Sequence, residues 1–140
     1  MLKIGKLTDY ALLIVSEMAK NPQLILSASF LADTLHLSSP TVSKILKILA
    51  EGHIVNSVRG PEGGYRLSRT AEEISVVDII RAMEGDFAMT ECCENISHCG
   101  LHSVCTLRSN WQTINQKIHS FLASLSIKDM LEPLTLPTRV

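Results

Sequence analysis

The stretch PTVSKILKILAEGHIVNSVRGPEGGYRLSR, residues 40–69, decides the fold of this chain. Its first part repeats apolar residues at helical spacing and carries lysines on the opposite side, which predicts an amphipathic helix that ends at Gly52. HIVNSV and GYRLS then predict two short strands, and the Gly/Pro-rich sequence between them predicts a tight turn. A helix followed at once by a β-hairpin predicts a winged helix, with Arg59 and Gly60 at the tip of the wing.

The residues before this stretch predict the first half of a helix-turn-helix. Ser27 is expected to cap a short helix that ends near His36, and His36-Leu37-Ser38 is expected to form a tight turn. Ser39 is then the expected cap of the next helix, with Pro40 at its first position, where proline is favoured. Two helices joined in this way also form plain αα-hairpins with a solvated basic face. The wing that follows favours the DNA-binding interpretation.

Basic residues are concentrated in this part of the chain. Residues 38–70 contain five lysines and arginines against two acids, whereas residues 71–97 contain seven acids and one arginine. The formal net charge of the chain is −1, but a local basic patch can still bind double-stranded DNA. Arg59 is expected to enter a narrow minor groove, where the negative potential is strongest. The predicted DNA contacts are Ser39, Pro40, Thr41, Lys44, Lys47, Arg59 and Gly60.

Further helices are predicted on both sides of the winged helix-turn-helix. Thr8 is the expected N-cap of a first helix that stops at Asn21-Pro22, and another helix is expected from Ile74 to Met83. A later helix has apolar residues in steps of four and three, which is a heptad pattern. We expect this heptad to form the seam of a homodimer, because DNA-reading helices usually work as symmetric pairs. The alternative is a helix that packs on its own domain. The predicted seam residues are Leu107, Trp111, Ile114, Ile118, Phe121 and Leu125.

Three cysteines, Cys93, Cys99 and Cys105, follow one another at intervals of six residues within ECCENISHCGLHSVC, residues 91–105. Six residues turn an α-helix by about 240°, so the three sulfurs can converge only on an irregular loop. Converging thiolates predict a metal centre, with an iron–sulfur cluster favoured. A zinc site would usually have shorter gaps between its ligands. A disulfide or plain structural thiols are the remaining alternative.

Composition places the chain among compact aliphatic proteins. Apolar residues make up 46% of the sequence and aromatic residues only 4%, and no run approaches the ~18 apolar residues of a membrane span. The N-terminus lacks the apolar region of a signal peptide, which predicts a cytoplasmic protein without a membrane partner. No nucleophile–base pair or phosphate-binding loop is recognisable, so neither an enzyme nor a small-molecule substrate is expected.

The predicted fold is therefore mainly α with a small β-hairpin wing, that is, a winged helix-turn-helix plus a long dimerisation helix. We expect a DNA-binding domain over residues 1–85 and a cysteine-rich cluster-binding loop over residues 86–106. The dimerisation helix is predicted over residues 107–131, and a loose tail over residues 132–140.

Several motifs together resemble those of the IscR/NsrR-type iron–sulfur transcription regulators. LTDYALLIVSEMA at residues 7–19, the stretch at residues 40–69 and the C-x₅-C-x₅-C spacing carry this resemblance. ISVVDIIRAMEG at residues 74–85, MTEC and RSNWQTIN are most similar to the regulators of the SUF system. The resemblance covers roughly residues 1–130. It implies a homodimeric repressor whose affinity for promoters of iron–sulfur assembly genes is tuned by a cluster, with 2Fe–2S favoured over 4Fe–4S.

The resemblance also implies the ligands of that cluster, which are Cys93, Cys99 and Cys105. Some members of the family add a histidine three residues after the third cysteine. Here Arg108 stands at that position, and a protonated guanidinium cannot ligate. Other members use an acid of the first helix of the partner subunit, where this chain has Asp9. An acid in a first turn is equally explained as a partner of the helix dipole. Residues close enough to compete with Asp9 are Cys92, His98 and His102.

Two other functions remain open from the residues. One is a regulator of other genes that senses nitric oxide or thiol oxidation. The other is a metal-handling protein with a cysteine loop and an incidental basic patch, which does not bind DNA.

Overall fold

A computed structural model describes residues 3–136. It confirms the predicted class, mainly α with a two-stranded antiparallel hairpin. In chain order the elements are α1 (Lys6–Lys20), α2 (Ala28–Leu35), α3 (Ser39–Glu51), β1 (Val55–Val58), β2 (Gly64–Leu67), α4 (Val76–Glu84), α5 (Glu91–Glu94), a 3₁₀ helix (Ile96–His98), α6 (Arg108–Ser124) and α7 (Ile127–Met130).

Helices α2 and α3 form the predicted helix-turn-helix. Ser27 caps α2 by accepting a hydrogen bond from the Phe30 amide, and His36 ends α2 in the left-handed conformation with φ 54°. The cap of α3 differs from the prediction, because Ser38 and not Ser39 has the extended backbone of a cap residue. Ser39 and Pro40 therefore occupy the first two positions of α3.

The core is aliphatic and lies where α1, α3 and α4 pack together with the base of the wing. Its fully buried members include residues of each of the three helices: Ala11, Ile14, Val15, Val42, Ile45, Leu46, Leu49 and Ile79. The start of α1 differs from the prediction. The helix begins at Lys6 with Gly5 as its N-cap, and Thr8 lies inside the helix with 1% of its surface exposed.

Backbone hydrogen bonds join the wing to the residues that precede α2. Val55 faces Leu67 across the hairpin, and both side chains are buried. Leu26 and Tyr65 exchange backbone hydrogen bonds of 2.9 and 2.8 Å. A Cβ atom at Gly64 would lie 2.4 Å from the Leu26 carbonyl oxygen, so this close approach requires glycine.

The long helix α6 is shorter than the predicted dimerisation helix over residues 107–131. It ends at Ser124, because Leu125 takes an extended conformation and Ser126 starts α7. Ser126 and Asp129 cap α7 reciprocally, each side chain bonding to the other residue's backbone amide.

Helix α7 docks the end of α6 onto the predicted DNA-binding part of the chain. Ile127 is fully buried, and its amide donates to the Ile74 carbonyl at 2.8 Å. The Val76 amide donates to the Leu125 carbonyl at 2.9 Å. On the surface, a hydrogen bond from Lys128 lowers the pKa of Glu72, and the same bond raises the pKa of Lys128.

The predicted loose tail falls partly outside the described residues. Residues 132–136 contain neither helix nor strand, and residues 137–140 lie outside the described part of the chain. Within residues 3–136, no helix has the length and apolar character needed to cross a membrane.

Candidate DNA-binding surface and cysteine segment

Helix α3 buries its apolar side and exposes its basic side. Val42, Ile45 and Leu49 are fully buried, whereas Lys44 and Lys47 are exposed. Among residues 3–136, neither lysine pairs with a carboxylate. Both ammonium groups are therefore available to phosphates.

The first turn of α3 places three predicted DNA contacts near one another. Ser39 and Pro40 are exposed, and Thr41 is half-buried. The Thr41 hydroxyl accepts a hydrogen bond of 2.6 Å from the Ser38 hydroxyl. The predicted residues thus lie at a helix N-terminus, where backbone amides favour anions.

The tip of the wing exposes Arg59 and Gly60. Gly60 has φ 120°, a conformation that favours glycine, and its carbonyl accepts a hydrogen bond of 2.9 Å from the Gly63 amide. In the described chain Arg59 makes no salt bridge. An unpaired guanidinium at the end of a narrow hairpin can enter a groove of DNA.

The cysteine segment, residues 86–106, is irregular apart from α5 and the 3₁₀ helix. Cys92 and Cys93 lie in α5, Cys99 follows the 3₁₀ helix, and Cys105 is exposed just before α6. All four thiols are free. The Thr90 hydroxyl lies 3.1 Å from the Cys92 sulfur and 3.2 Å from the Cys93 sulfur.

These thiols are not assembled into a metal site in the single chain. Over residues 3–136, no three or more Cys, His, Asp or Glu side chains are grouped in a way that could hold a metal. Asp9 is exposed in the first turn of α1 and belongs to no such group. The donor chemistry nevertheless fits an iron–sulfur cluster, because three free thiols lie on an irregular segment that can rearrange around one.

Arg108 adds a second observation that fits an anionic group in this region. It is the first residue of α6, three positions after Cys105, and it is half-buried. Its Nε is buried and has no hydrogen-bond partner within the described chain. A buried donor without a partner is costly, and sulfide or thiolate sulfur is an acceptor that could satisfy it.

Two residues of α6 that the sequence reasoning missed hold the beginning of the cysteine segment. His119 Nε2 donates to the Phe87 carbonyl at 2.7 Å, and the two rings stack with their centroids 4.0 Å apart. Asn115 Oδ1 accepts from the Met89 amide at 2.9 Å. The spacing of Asn115 and His119, one helical turn apart beside the heptad, was the only signal of this role.

A third missed residue, Glu84, joins α4 to the start of α1. Its Oε1 accepts hydrogen bonds from the Gly5 amide at 2.7 Å and from the Thr8 hydroxyl at 2.6 Å. Glu84 thus supplies an acceptor at a helix start where the N-cap Gly5 makes no side-chain hydrogen bond. No local pattern could have indicated it, because Glu84 and Gly5 lie 79 positions apart.

The predicted seam residues of α6 differ in their surroundings. No residue of α6 is fully buried, and Phe121 exposes 63% of its surface. Ile118 instead lines a groove of about 310 Å³ together with Ile80, Phe87 and Leu122. Leu107 and Leu125 flank the helix as its caps. The exposed apolar residues of the heptad are Leu107, Trp111, Ile114 and Phe121.

Comparison with known proteins identifies relatives along nearly the whole chain. The family model Rrf2, described as iron-dependent transcriptional regulator, matches residues 4–133. The transcriptional regulator NsrR of Oceanobacillus iheyensis is 28% identical over 136 residues, which cover 94% of this chain and 90% of that protein.

Two solved structures have the same fold. CymR, described as the global cysteine regulator of B. subtilis, superposes with a TM-score of 0.75 at 30% identity, over 94% of this chain and 97% of that one. IscR of T. potens superposes with a TM-score of 0.70 at 27% identity, over 93% and 86%. These relatives are regulators and not enzymes. The chain therefore belongs to the Rrf2 family of iron-dependent transcriptional regulators.

Proposed function

We propose that this protein is a homodimeric, promoter-binding repressor whose DNA affinity changes when its cysteine segment binds an iron–sulfur cluster. The observation that carries the proposal is the set of three free thiols on an irregular segment between the winged helix and α6. The iron dependence in the family description supports the choice of metal. The resemblance to SUF-system regulators favours iron–sulfur assembly genes as targets and a 2Fe–2S cluster over a 4Fe–4S cluster.

Cys93, Cys99 and Cys105 would hold the cluster, with Asp9 of the partner subunit as the fourth ligand. When bound, the cluster would link these ligands to one another, and oxidants, nitric oxide or iron shortage would remove that link. Arg108 would donate its unsatisfied Nε–H toward the anionic site, and Thr90 would orient the Cys93 sulfur. Cys92, His98 and His102 would stay outside the ligand set.

The apolar face of α6 would pair with the same face of a second copy. Its exposed residues repeat in a heptad, and such a seam would be self-complementary about a two-fold axis. Two α3 helices would then read two half-sites, with Lys44 and Lys47 on phosphates and Arg59 in the minor groove.

Cluster binding would change DNA affinity by ordering the cysteine segment. Its beginning is held to α6 by Asn115 and His119, and its end continues directly into Arg108. Closing the thiols around one point would shorten the span between these two attachments. The tilt of α6, and with it the separation of the two α3 helices, would change, so DNA affinity would differ between the two states.

The direct test is anaerobic reconstitution with iron and sulfide, followed by DNA binding at fixed salt. The DNA would be a fragment selected by the protein from a random-sequence pool. We expect a brown protein with visible absorption and an affinity that differs at least about tenfold from that of the iron-free protein, a coupling of about 1.4 kcal/mol. A colourless protein after reconstitution would rule out the cluster.

We expect Arg59→Ala to lower DNA affinity about 5- to 150-fold, which corresponds to about 1–3 kcal/mol, and to weaken the preference for A·T-rich flanks. The slope of log affinity against log salt concentration should decrease in magnitude by about one, as expected for the loss of one phosphate contact. Gel shifts over a salt series measure both quantities. Arg81→Ala is the matched control, because Arg81 is also exposed but is already paired with Asp86 at 2.7 Å. Unchanged affinity and sequence preference in Arg59→Ala would show that the wing tip does not touch DNA.

A thiol-sensing regulator is the second candidate function. It is favoured by the exposure of Cys105 and by the likeness to CymR, the global cysteine regulator of B. subtilis. Treating iron-free protein with hydrogen peroxide distinguishes the two. A DNA affinity that responds to peroxide and not to reconstitution would favour thiol sensing.

A further inference from the structure

We infer that Glu84 is a positioning residue, which joins the root of the cysteine segment to the start of α1 and thereby sets the place of the Asp9 carboxylate. The inference rests on the proposed function, because Asp9 matters only if the cysteine segment binds a cluster. Nothing in the sequence pattern of α1 or α4 points to this contact.

The contact supplies what the start of α1 lacks. The first amides of a helix have no partner inside the helix, and the cap residue Gly5 has no side chain to offer. Glu84 Oε1 accepts from the Gly5 amide at 2.7 Å and from the Thr8 hydroxyl at 2.6 Å. A carboxylate at this end is also favoured by the helix dipole. Glu84 thus supplies, from α4, the side-chain acceptor that the N-cap residue Gly5 lacks.

The three groups are fitted to one another. Thr8 is the buried polar residue of the described core, with 1% of its surface exposed, so its hydroxyl needs a partner. A Cβ atom on Gly5 would lie 2.6 Å from Glu84 Oε1, so a side chain at position 5 would displace the Glu84 carboxylate from its present place. Gly5, Thr8 and Glu84 therefore form one unit, which we call the α1 clamp.

The clamp sits between the two parts of the proposed cluster site. On one side, Glu84 is the last residue of α4, and Gly85 with φ 80° turns the chain into the cysteine segment. On the other side, Asp9 directly follows Thr8, and its amide donates to the Gly5 carbonyl at 3.0 Å. Asp9 is therefore one peptide unit away from Thr8, which Glu84 binds, so a displacement of Thr8 would also displace Asp9.

In a two-fold dimer the α1 clamp of each subunit would act on the cluster site of its partner. The clamp of one chain would set the Asp9 that reaches the thiols of the other chain, while the same Glu84 anchors the segment of its own chain. Each clamp would thus influence both clusters.

The test compares Glu84→Ala and Glu84→Gln in the full-length protein, each with Asp9 intact and with Asp9→Ala. The readouts are the visible spectrum after anaerobic reconstitution and the rate at which EDTA removes the iron. We expect Glu84→Ala to change the spectrum as Asp9→Ala does and to speed iron loss about tenfold or more. Glu84→Gln retains an oxygen acceptor and should behave like the wild type. In the Asp9→Ala background, Glu84→Ala should add nothing.

A purely structural cap predicts a different pattern. Glu84→Ala would then speed iron loss equally in both backgrounds, or leave it unchanged, and either result overturns the inference. An Asp9→Ala protein indistinguishable from the wild type also overturns it. Thr8→Val, which keeps the side-chain volume and removes the hydroxyl, gives the same test if Glu84→Ala does not fold. Glu72→Ala is the matched control, because it removes an exposed carboxylate that is paired with Lys128.

The proposed function and this inference fail in distinguishable ways. If Cys99→Ala keeps the cluster as firmly as the wild type, the proposed ligand set is wrong. If Cys99→Ala loses the cluster while Glu84→Ala behaves like the wild type, only the role of Glu84 is wrong.

Discussion

Cys99→Ala is expected to abolish the cluster in anaerobically reconstituted protein while the chain stays folded and dimeric. Cys99 is the middle one of the three proposed thiolate ligands, so two thiolates would remain, which are too few to hold a cluster firmly. The residue is half-buried on an irregular segment and is not part of the aliphatic core. Visible absorption and the iron and sulfide content of each chain measure the loss, and size-exclusion chromatography measures the dimer.

Cys92→Ala provides the matched control, because Cys92 is the adjacent free thiol that we place outside the ligand set. It should remain as brown as the wild type. A colourless Cys92→Ala protein would exchange the roles of Cys92 and Cys93. DNA binding gives a second readout, since Cys99→Ala should show one affinity, that of the iron-free wild type, before and after reconstitution.

Ile114→Asp is expected to convert the dimer into monomers and to lower DNA affinity about a hundredfold or more. Ile114 lies in the middle of the exposed heptad, with 40% of its surface exposed in the single chain. In the seam its carboxylate would be buried without a partner, which is strongly unfavourable. A monomer would also read only one half-site, so it would lose the contacts of the second α3.

Sedimentation of the iron-free protein measures the dimer, and gel shifts at fixed salt measure the affinity. Gln116→Asp introduces the same charge two positions later, on the opposite side of α6, where Gln116 is exposed. It should leave both quantities near the wild-type values. Dimeric Ile114→Asp protein would mean that α6 is not the seam.

Local signals were sufficient to predict the helix-turn-helix and the wing. Ser27, Gly52 and the Gly/Pro turn all act within a few residues, so their effects can be recognised in a short window. One error arose because a distant residue decides the local structure. Thr8 looked like a cap, but Gly5 is the N-cap of α1, and the acceptor for its amide comes from Glu84 on another helix. The heptad pattern continues to Leu125 and predicted a longer helix, but Ser126 and Asp129 cap a new helix, α7, at that point.

The candidate site was predictable in its chemistry and not in its arrangement. The six-residue spacing indicated which thiols belong together, and thiol chemistry indicated the class of metal centre. The start of the segment that carries them is held by Asn115 and His119, which sit beside the heptad and resemble ordinary solvated residues. Thiols that converge only when a cluster is bound are also not grouped together in a single chain without that cluster.

Because α7 is docked, α6 is held in place at its C-terminal end. The buried Ile127 and its backbone bond to Ile74 hold one end of α6 against the DNA-binding part of the chain. The other end carries the cysteine segment. The helix has 17 residues and so spans about 25 Å, which means that a tilt of about 10° moves its free end by about 4 Å. Such a displacement exceeds the rise of one base pair, about 3.4 Å, so in the proposed dimer a small rearrangement of the cysteine segment would be enough to move the two α3 helices out of register with their half-sites.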